Sequence, residues 1–445
     1  MDERLRRIAG RRRLRWSVSL ASAAVAVTAG VTLAASAGAA PPPASPAWQQ
    51  GTGITLPTGG VRGLLLGVSC TSGGACVASG QYQKSATGTT LAMVISNGGG
   101  TSWLPAHALA LPKTAASVPQ AVASDVACTS ATSCQVVGRF RYARHPTKNN
   151  AFIAVLTGTT WSRARTMSLP ANKATVTNAT LSQISCASQG NCGALGTYID
   201  NKGDLATSAF IETNGTWAQG VHIVPPSNGG AAGKQNVQPF GISCPAAGDC
   251  VAVGKYKTTG GDIEPFRATS TNGVWARAVR VGLPAGAITG SNQQGDFHAV
   301  SCTTDTANCF AVGNYRTAVV VHSNAVYSLL QTAGTWPSAG TAFHPAPAGV
   351  ASPPVPQDNG LACPSGGCVT VGFYSISGGG VGGLSDAYSG GTWQPAAQIQ
   401  NPGDAAATGN TVMKDVSCWG TWSCVAVGGY TNKAGHQQAM IATSS

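Results

Sequence analysis

The stretch "ISCPAAGDCVAVGKY", residues 242–256, places Cys244 and Cys250 on either side of a short polar turn, between an apolar lead-in and an apolar run ending in an aromatic. The same pattern returns as "VSCTSGGACVASGQY" (68–82), "VACTSATSCQVVGRF" (126–140), "ISCASQGNCGALGTY" (184–198), "VSCTTDTANCFAVGNY" (300–315), "LACPSGGCVTVGFY" (361–374) and "VSCWGTWSCVAVGGY" (416–430). The first cysteines are spaced by 58, 58, 58, 58, 61 and 55 residues. A fixed period of this size is the mark of a repeat architecture.

Each unit continues alike. A third apolar segment such as "AFIET" (209–213) runs into a glycine turn and a tryptophan, as in "TNGTW" at Trp217, "TNGVW" at Trp275, "TAGTW" at Trp336 and "SGGTW" at Trp393. Asn-Gly and Gly-Gly between β-favouring segments signal tight hairpins, because type I′ turns need two residues at positive φ. Each repeat is therefore read as a four-stranded antiparallel meander, a–b–c–d, with Trp opening strand d. Seven such units, apolar on both faces of strand b, predict an all-β, seven-bladed β-propeller.

The units fill residues 40–445, and the last stops after strand c. Its missing strand is expected in residues 47–57, "AWQQGTGITLP", whose Trp48 and Leu56-Pro57 match Trp161 and Leu169-Pro170. The N-terminal strand would thus close blade 7 and leave no blade edge open for pairing.

Ahead of this, residues 1–39 carry seven Arg, then an Ala/Val-rich apolar run ending in small residues. This order predicts a secretory signal peptide; uncleaved, the segment would be a single membrane anchor. An even count of 14 cysteines in an exported chain predicts disulfides. The predicted pairs are Cys70 with Cys76, Cys128 with Cys134, Cys186 with Cys192, Cys244 with Cys250, Cys302 with Cys309, Cys363 with Cys368 and Cys418 with Cys424. Each joins the end of strand a to the start of strand b.

The formal charge of +12 falls once the signal segment is set aside, leaving 20 basic against 13 acidic residues. That surplus is too thin over some 400 residues to point to nucleic acid. No HExxH, nucleophile elbow or P-loop occurs, so no metal, cofactor or catalytic residue is assigned. Beyond residue 40 the only glutamates are Glu212 and Glu264, on separate units. Glycoside hydrolysis needs a convergent carboxyl pair, which these do not supply in sequence.

The turn "SNGGGTSW" (96–103) resembles an Asp-box, the Ser-x-Asp-x-Gly-x-Thr-Trp turn of sialidases and other BNR-type propellers, with Gly98 standing where that family has Asp. The repeated Ser-Cys…Cys-x-Ala-Val-Gly unit is similar to that of secreted bacterial propellers. The resemblance implies a fold and no activity.

Candidate binding residues come from what varies. The a–b and c–d turns are regular, whereas the b–c and d–a connections differ, and in a propeller these emerge on the opposite face. There the second unit carries a basic-aromatic loop, Arg139, Arg141, Tyr142, Arg144, His145 and Lys148, suited to an anionic polymer. Asp125, Gln183, His298, Asn359 and Asp415 precede strand a in their units and are expected around the channel mouth, with capping of strand ends as the alternative. Asp200, Asp204, Asp262 and Glu264 read as solvated loop charges, with Ca2+ binding as the alternative. The function expected is a monomeric, exported, non-catalytic module binding an envelope glycan, anionic polymer or protein. A carbohydrate-active enzyme of the BNR class is the alternative.

Overall fold

The computed structural model describes residues 45–445 apart from 86–87, 232–233, 291–292, 304, 318–323, 344–355 and 409, so the expected signal peptide, residues 1–39, lies outside the described residues. Seven antiparallel sheets follow one another along the chain, with no helix among the described residues. Blade 4 is representative. Strand a, Gln238–Ala246, pairs with strand b, Asp249–Lys257, which pairs with strand c, Ile263–Thr271. Strand d is a broken strand. Val274–Trp275 pairs with the end of strand c, and Val279–Arg280 pairs further along it. The asparagine-glycine turns behave as the sequence implies, with Asn272 and Gly273 at φ of 49° and 83° and Asn214 and Gly215 at 49° and 80°.

Neighbouring sheets bury apolar faces against one another. Between blades 2 and 3, Val137, Ile153, Leu181, Tyr198 and Phe210 are excluded from water. Comparable seams join the other blades, and a strand-d tryptophan packs at each, from Trp103 round to Trp48. Blade 7 is completed by the N-terminal strand: Thr52 and Gly53 pair with Ile441 and Met440, and Trp48 bridges to Ser444.

All seven expected disulfides are present, with Cα atoms 3.9–4.1 Å apart. The two cysteines of a bridge are placed differently. The strand-b members, Cys76, Cys134, Cys192, Cys250, Cys309, Cys368 and Cys424, are buried among the blades, at most 6% exposed. They line neither space of the central channel, and so staple strand a to strand b without presenting sulfur to a ligand. Of the strand-a members, Cys128, Cys186, Cys363 and Cys418 lie along the channel wall. No free cysteine remains among the described residues.

Two repeated devices build the channel wall. The serine before the first cysteine accepts a hydrogen bond from the backbone N–H of the next blade's first cysteine. Ser69 receives Cys128, Ser185 receives Cys244, Ser243 receives Cys302, Ser301 receives Cys363, and Ser417 receives Cys70 across the closure, at 2.9–3.2 Å. In blades 2 and 6 the position is Ala127 and Ala362.

The second device is a β-bulge in every strand a, four residues before the first cysteine. The glycine that ends each "AVG" run lies opposite it. A Cβ at Gly254 would strike the carbonyl of Gln238, one at Gly196 that of Thr180, and one at Gly313 that of Asp296. The bulge leaves one residue per blade outside the ladder: Leu66, Ser124, Ser182, Phe240, His298, Asn359 and Lys414.

Candidate site at the channel mouth

Six of those seven bulge residues line a cavity of about 460 Å³ at one end of the channel, where Gln183, Lys255, Asp296 and Gln357 join them. Below it the seven strands a enclose a further space of about 330 Å³. Polar groups gather on the side of blades 4 to 7. His298 Nε2 lies 3.1 Å from Asp296 Oδ1, and Lys255 Nζ lies 3.5 Å from Asp296 Oδ2. His298 Nδ1 is 3.4 Å from the Gln357 amide, while Asn359 donates to the Met413 carbonyl at 2.7 Å. Phe240 packs beside both, its centroid 5.7 Å from the tilted His298 ring and 5.0 Å from the Lys255 Nζ cation.

Charge here follows from partners set against burial. Burial drives His298 down, but Asp296 more than reverses this and holds the imidazole above its usual range. Burial likewise pushes the Asp296 carboxyl up, and His298 with Lys255 brings it below the ordinary carboxylate range. Burial lowers the Lys414 amine. The mouth thus sets His298, Lys255 and Lys414 against the single carboxylate of Asp296, beside one aromatic face.

The candidates expected ahead of strand a lie within it instead: Gln183, His298 and Asn359 reach both spaces, and Asp125 and Asp415 lie in the inner one. The two aspartates bind backbone. Asp125 Oδ2 accepts the Ile184 N–H at 2.8 Å, and Asp415 Oδ2 accepts the Val68 N–H at 2.9 Å, each tying its blade to the next. Burial raises both carboxyls, Asp415 to about 7, and the charge of Asp415 raises Asp125 further.

The basic segment of blade 2 is not a loop. Strand b extends through Tyr142 and strand c starts at His145, so only Ala143 and Arg144 turn the chain. The Tyr142 and His145 rings meet edge-on at 5.3 Å. Arg139 is half-buried, and burial, then the charge of Arg141, lowers its guanidinium. Arg139, Arg141, Tyr142, Arg144, His145 and Lys148 line neither channel space.

Three of the acidic groups read as solvated loop charges prove to be buried. Asp200 accepts the N–H groups of Lys202 and Asp204 at 2.9 Å, and Asp204 accepts that of Gln235 at 3.2 Å. Glu264 accepts hydrogen bonds from Tyr256, Asn228 and Gln293 and pairs with Arg280 Nε at 2.7 Å. Glu212 receives Gln135 at 2.6 Å. These carboxylates hold loops and seams together. Among the described residues no three Asp, Glu, His or Cys side chains gather as a metal cluster.

Sequence reasoning missed Phe240, Lys255, Asp296, Gln357 and Lys414. The signal for two of them was present, because the residue four before the first cysteine varies from unit to unit while its surroundings repeat.

Compared as a sequence, the chain matches no protein-family model and no curated protein. Compared as a structure, it resembles a polysaccharide lyase with a TM-score of 0.51 at 10% identity, over 83% of this chain and 87% of that one. An ulvan lyase of polysaccharide lyase family 25 gives a TM-score of 0.49 at 9% identity, over 88% and 95% of the two chains. A protein of unknown function from Dyadobacter fermentans gives 0.47 at 10%, over 90% and 100%. Identities of this size carry the fold alone.

Proposed function

We propose that this propeller is an exported, monomeric, non-catalytic binding module, cleaved after residue 39, whose channel mouth takes an acidic group of an envelope glycan. The observation that carries this reading is the convergence of Lys255, His298 and Lys414 on one cavity, beside the Phe240 ring and the Gln357 and Asn359 amides. Cations and amides suit a carboxylate or sulfate, and an aromatic face suits the apolar side of a sugar ring. A polysaccharide lyase shares the fold, so glycans are the class to test first. Seven disulfides fit an oxidising compartment. No helix among the described residues is long and apolar enough to cross a membrane.

The enzymatic alternative would use Asp415, a carboxyl raised to about 7 within the channel. Against it, an oxygen of Asp415 and one of Asp125 are already engaged by backbone N–H groups.

The test is binding to uronic-acid-bearing, sulfated and neutral polysaccharides at low and high salt. His298→Ala with Lys414→Ser should weaken acidic-glycan binding at least about tenfold, the loss of one to two charge-assisted contacts. Equal binding of neutral and acidic chains would overturn the reading. So would loss of binding only when Arg139, Arg141 and Arg144 become Ser, which would move the site to the blade 2 hairpin. Depolymerisation of a bound glycan would establish the enzyme instead.

A further inference from the structure

The seam between blades 5 and 6 departs from the other six. Where strand a of other blades packs Leu65, Leu181, Phe297 or Met413, blade 6 has Asp358. Where strand c packs Ile95, Phe210 or Leu329, blade 6 has Asp386. Opposite Asp386 on strand b, a position held by Ala78, Ala194 or Ala311 elsewhere, stands Thr370. Asn314 on strand b of blade 5 reaches the same seam, donating its amide to the Pro356 carbonyl two residues before Asp358.

All four are buried: Asp358 and Thr370 are 0% exposed, Asp386 1% and Asn314, at the edge of an open cavity, 7%. By strict hydrogen-bond geometry both oxygens of Asp358, Oδ2 of Asp386, Oγ1 of Thr370 and Oδ1 of Asn314 are unpartnered, the Thr370 hydroxyl being the one donor close enough to Asp358 to favour its ionised form. Four of these five atoms are acceptors when the carboxyls are ionised, and only the threonine hydroxyl can donate. Unpaired buried polar atoms each cost on the order of kilocalories, and unpaired buried charges more. A set of oxygens with too few protons calls for a positive ion.

We infer that the Asp358, Asp386, Thr370 and Asn314 oxygens form a Ca2+ site stapling blade 5 to blade 6. Two carboxylates neutralise one divalent ion, so the buried assembly carries no net charge. Carboxylate, hydroxyl and amide oxygens are hard donors that suit Ca2+ rather than a thiolate- or imidazole-seeking metal. The alternative is that protons alone neutralise the carboxyls.

The experiment uses the disulfide-intact mature protein at pH 8. Ca2+ at 100 times its Kd should raise the thermal midpoint by about 3 °C for a chain of this size, and chelator should reverse the shift. Tb3+ bound at the seam should show emission sensitised by Tyr388 and Trp393, which pack there, and Ca2+ should quench it. The triple variant Asp358→Leu, Thr370→Ala and Asp386→Leu restores the apolar pattern of the other blades. It should fold, ignore Ca2+ and show no sensitised Tb3+. A midpoint in the native protein that ignores Ca2+ at pH 8 and climbs only on acidification would overturn the site in favour of protons. A Ca2+ shift retained by the triple variant would place the ion elsewhere and overturn it equally.

Discussion

Replacing the five channel serines by alanine tests how the ring holds its blades in register. Ser69, Ser185, Ser243, Ser301 and Ser417 each accept one backbone N–H from the next blade's cysteine at 2.9–3.2 Å. Each bond joins partly buried groups, so its net contribution is about 1 kcal/mol. Successive serines are a full repeat apart and share no partner, so the effects should add to about 5 kcal/mol. The protein carries its own converse experiment at Ala127 and Ala362, where Cys186 and Cys418 meet no hydroxyl. Ala127→Ser and Ala362→Ser should each add about 0.5–1 kcal/mol. The assay is denaturant unfolding followed by tryptophan fluorescence with disulfides intact, reading the midpoint at constant slope. A fivefold variant within about 1 kcal/mol of the native protein, together with neutral alanine-to-serine changes, would refute the reasoning. Channel water would then satisfy those N–H groups as well as serine does.

Asp415→Asn tests the inner aspartate pair. The native carboxyl rises to about 7, against about 3.9 in an unfolded chain, so its protonated form stabilises fully below about pH 4 and that stability is lost as pH rises through 7. Asparagine keeps a carbonyl for the Val68 N–H and cannot ionise, so thermal midpoints should flatten between pH 4 and 8, with a gain of about 1 kcal/mol or more at pH 8. Parallel pH profiles for the two proteins would count against it. A chain lacking residues 47–57 should melt earlier and self-associate through the uncovered strand Gln437–Ser444; light scattering showing an unchanged monomer with an unchanged midpoint would retire the closing role.

The blade count, the disulfide pairing and the turns were legible because each rests on local chemistry: a cysteine spacing, or an asparagine-glycine pair able to take positive φ. The blade 2 hairpin was not legible, since its turn uses Ala143 and Arg144 and carries neither Gly nor Asn. The bulge was hidden for a different reason. One extra residue in strand a is invisible to an alternating pattern, although the glycine inside each "AVG" strand is a mark of close backbone approach. Asp358 and Asp386 carry no signal when unit 6 is read alone. Only aligning all seven units shows that they occupy core positions. Lys255 and Asp296 meet only because adjacent blades bring strand b of one against strand a of the next.

The closing strand has a consequence in time. Thr52 and Ile441, which pair to complete blade 7, are separated by 389 residues, so the earlier segment must wait for the later one. Six blades can form as they emerge, each from contacts within about one repeat, while this pairing has the longest loop to close. Until the final strand arrives, Trp48 has no seam to enter and the early segment stays open to proteases. A chain cut short anywhere before its last blade can never satisfy that segment. Completion of the ring therefore tells an intact copy from a truncated one, through the accessibility of a strand at the opposite end of the chain.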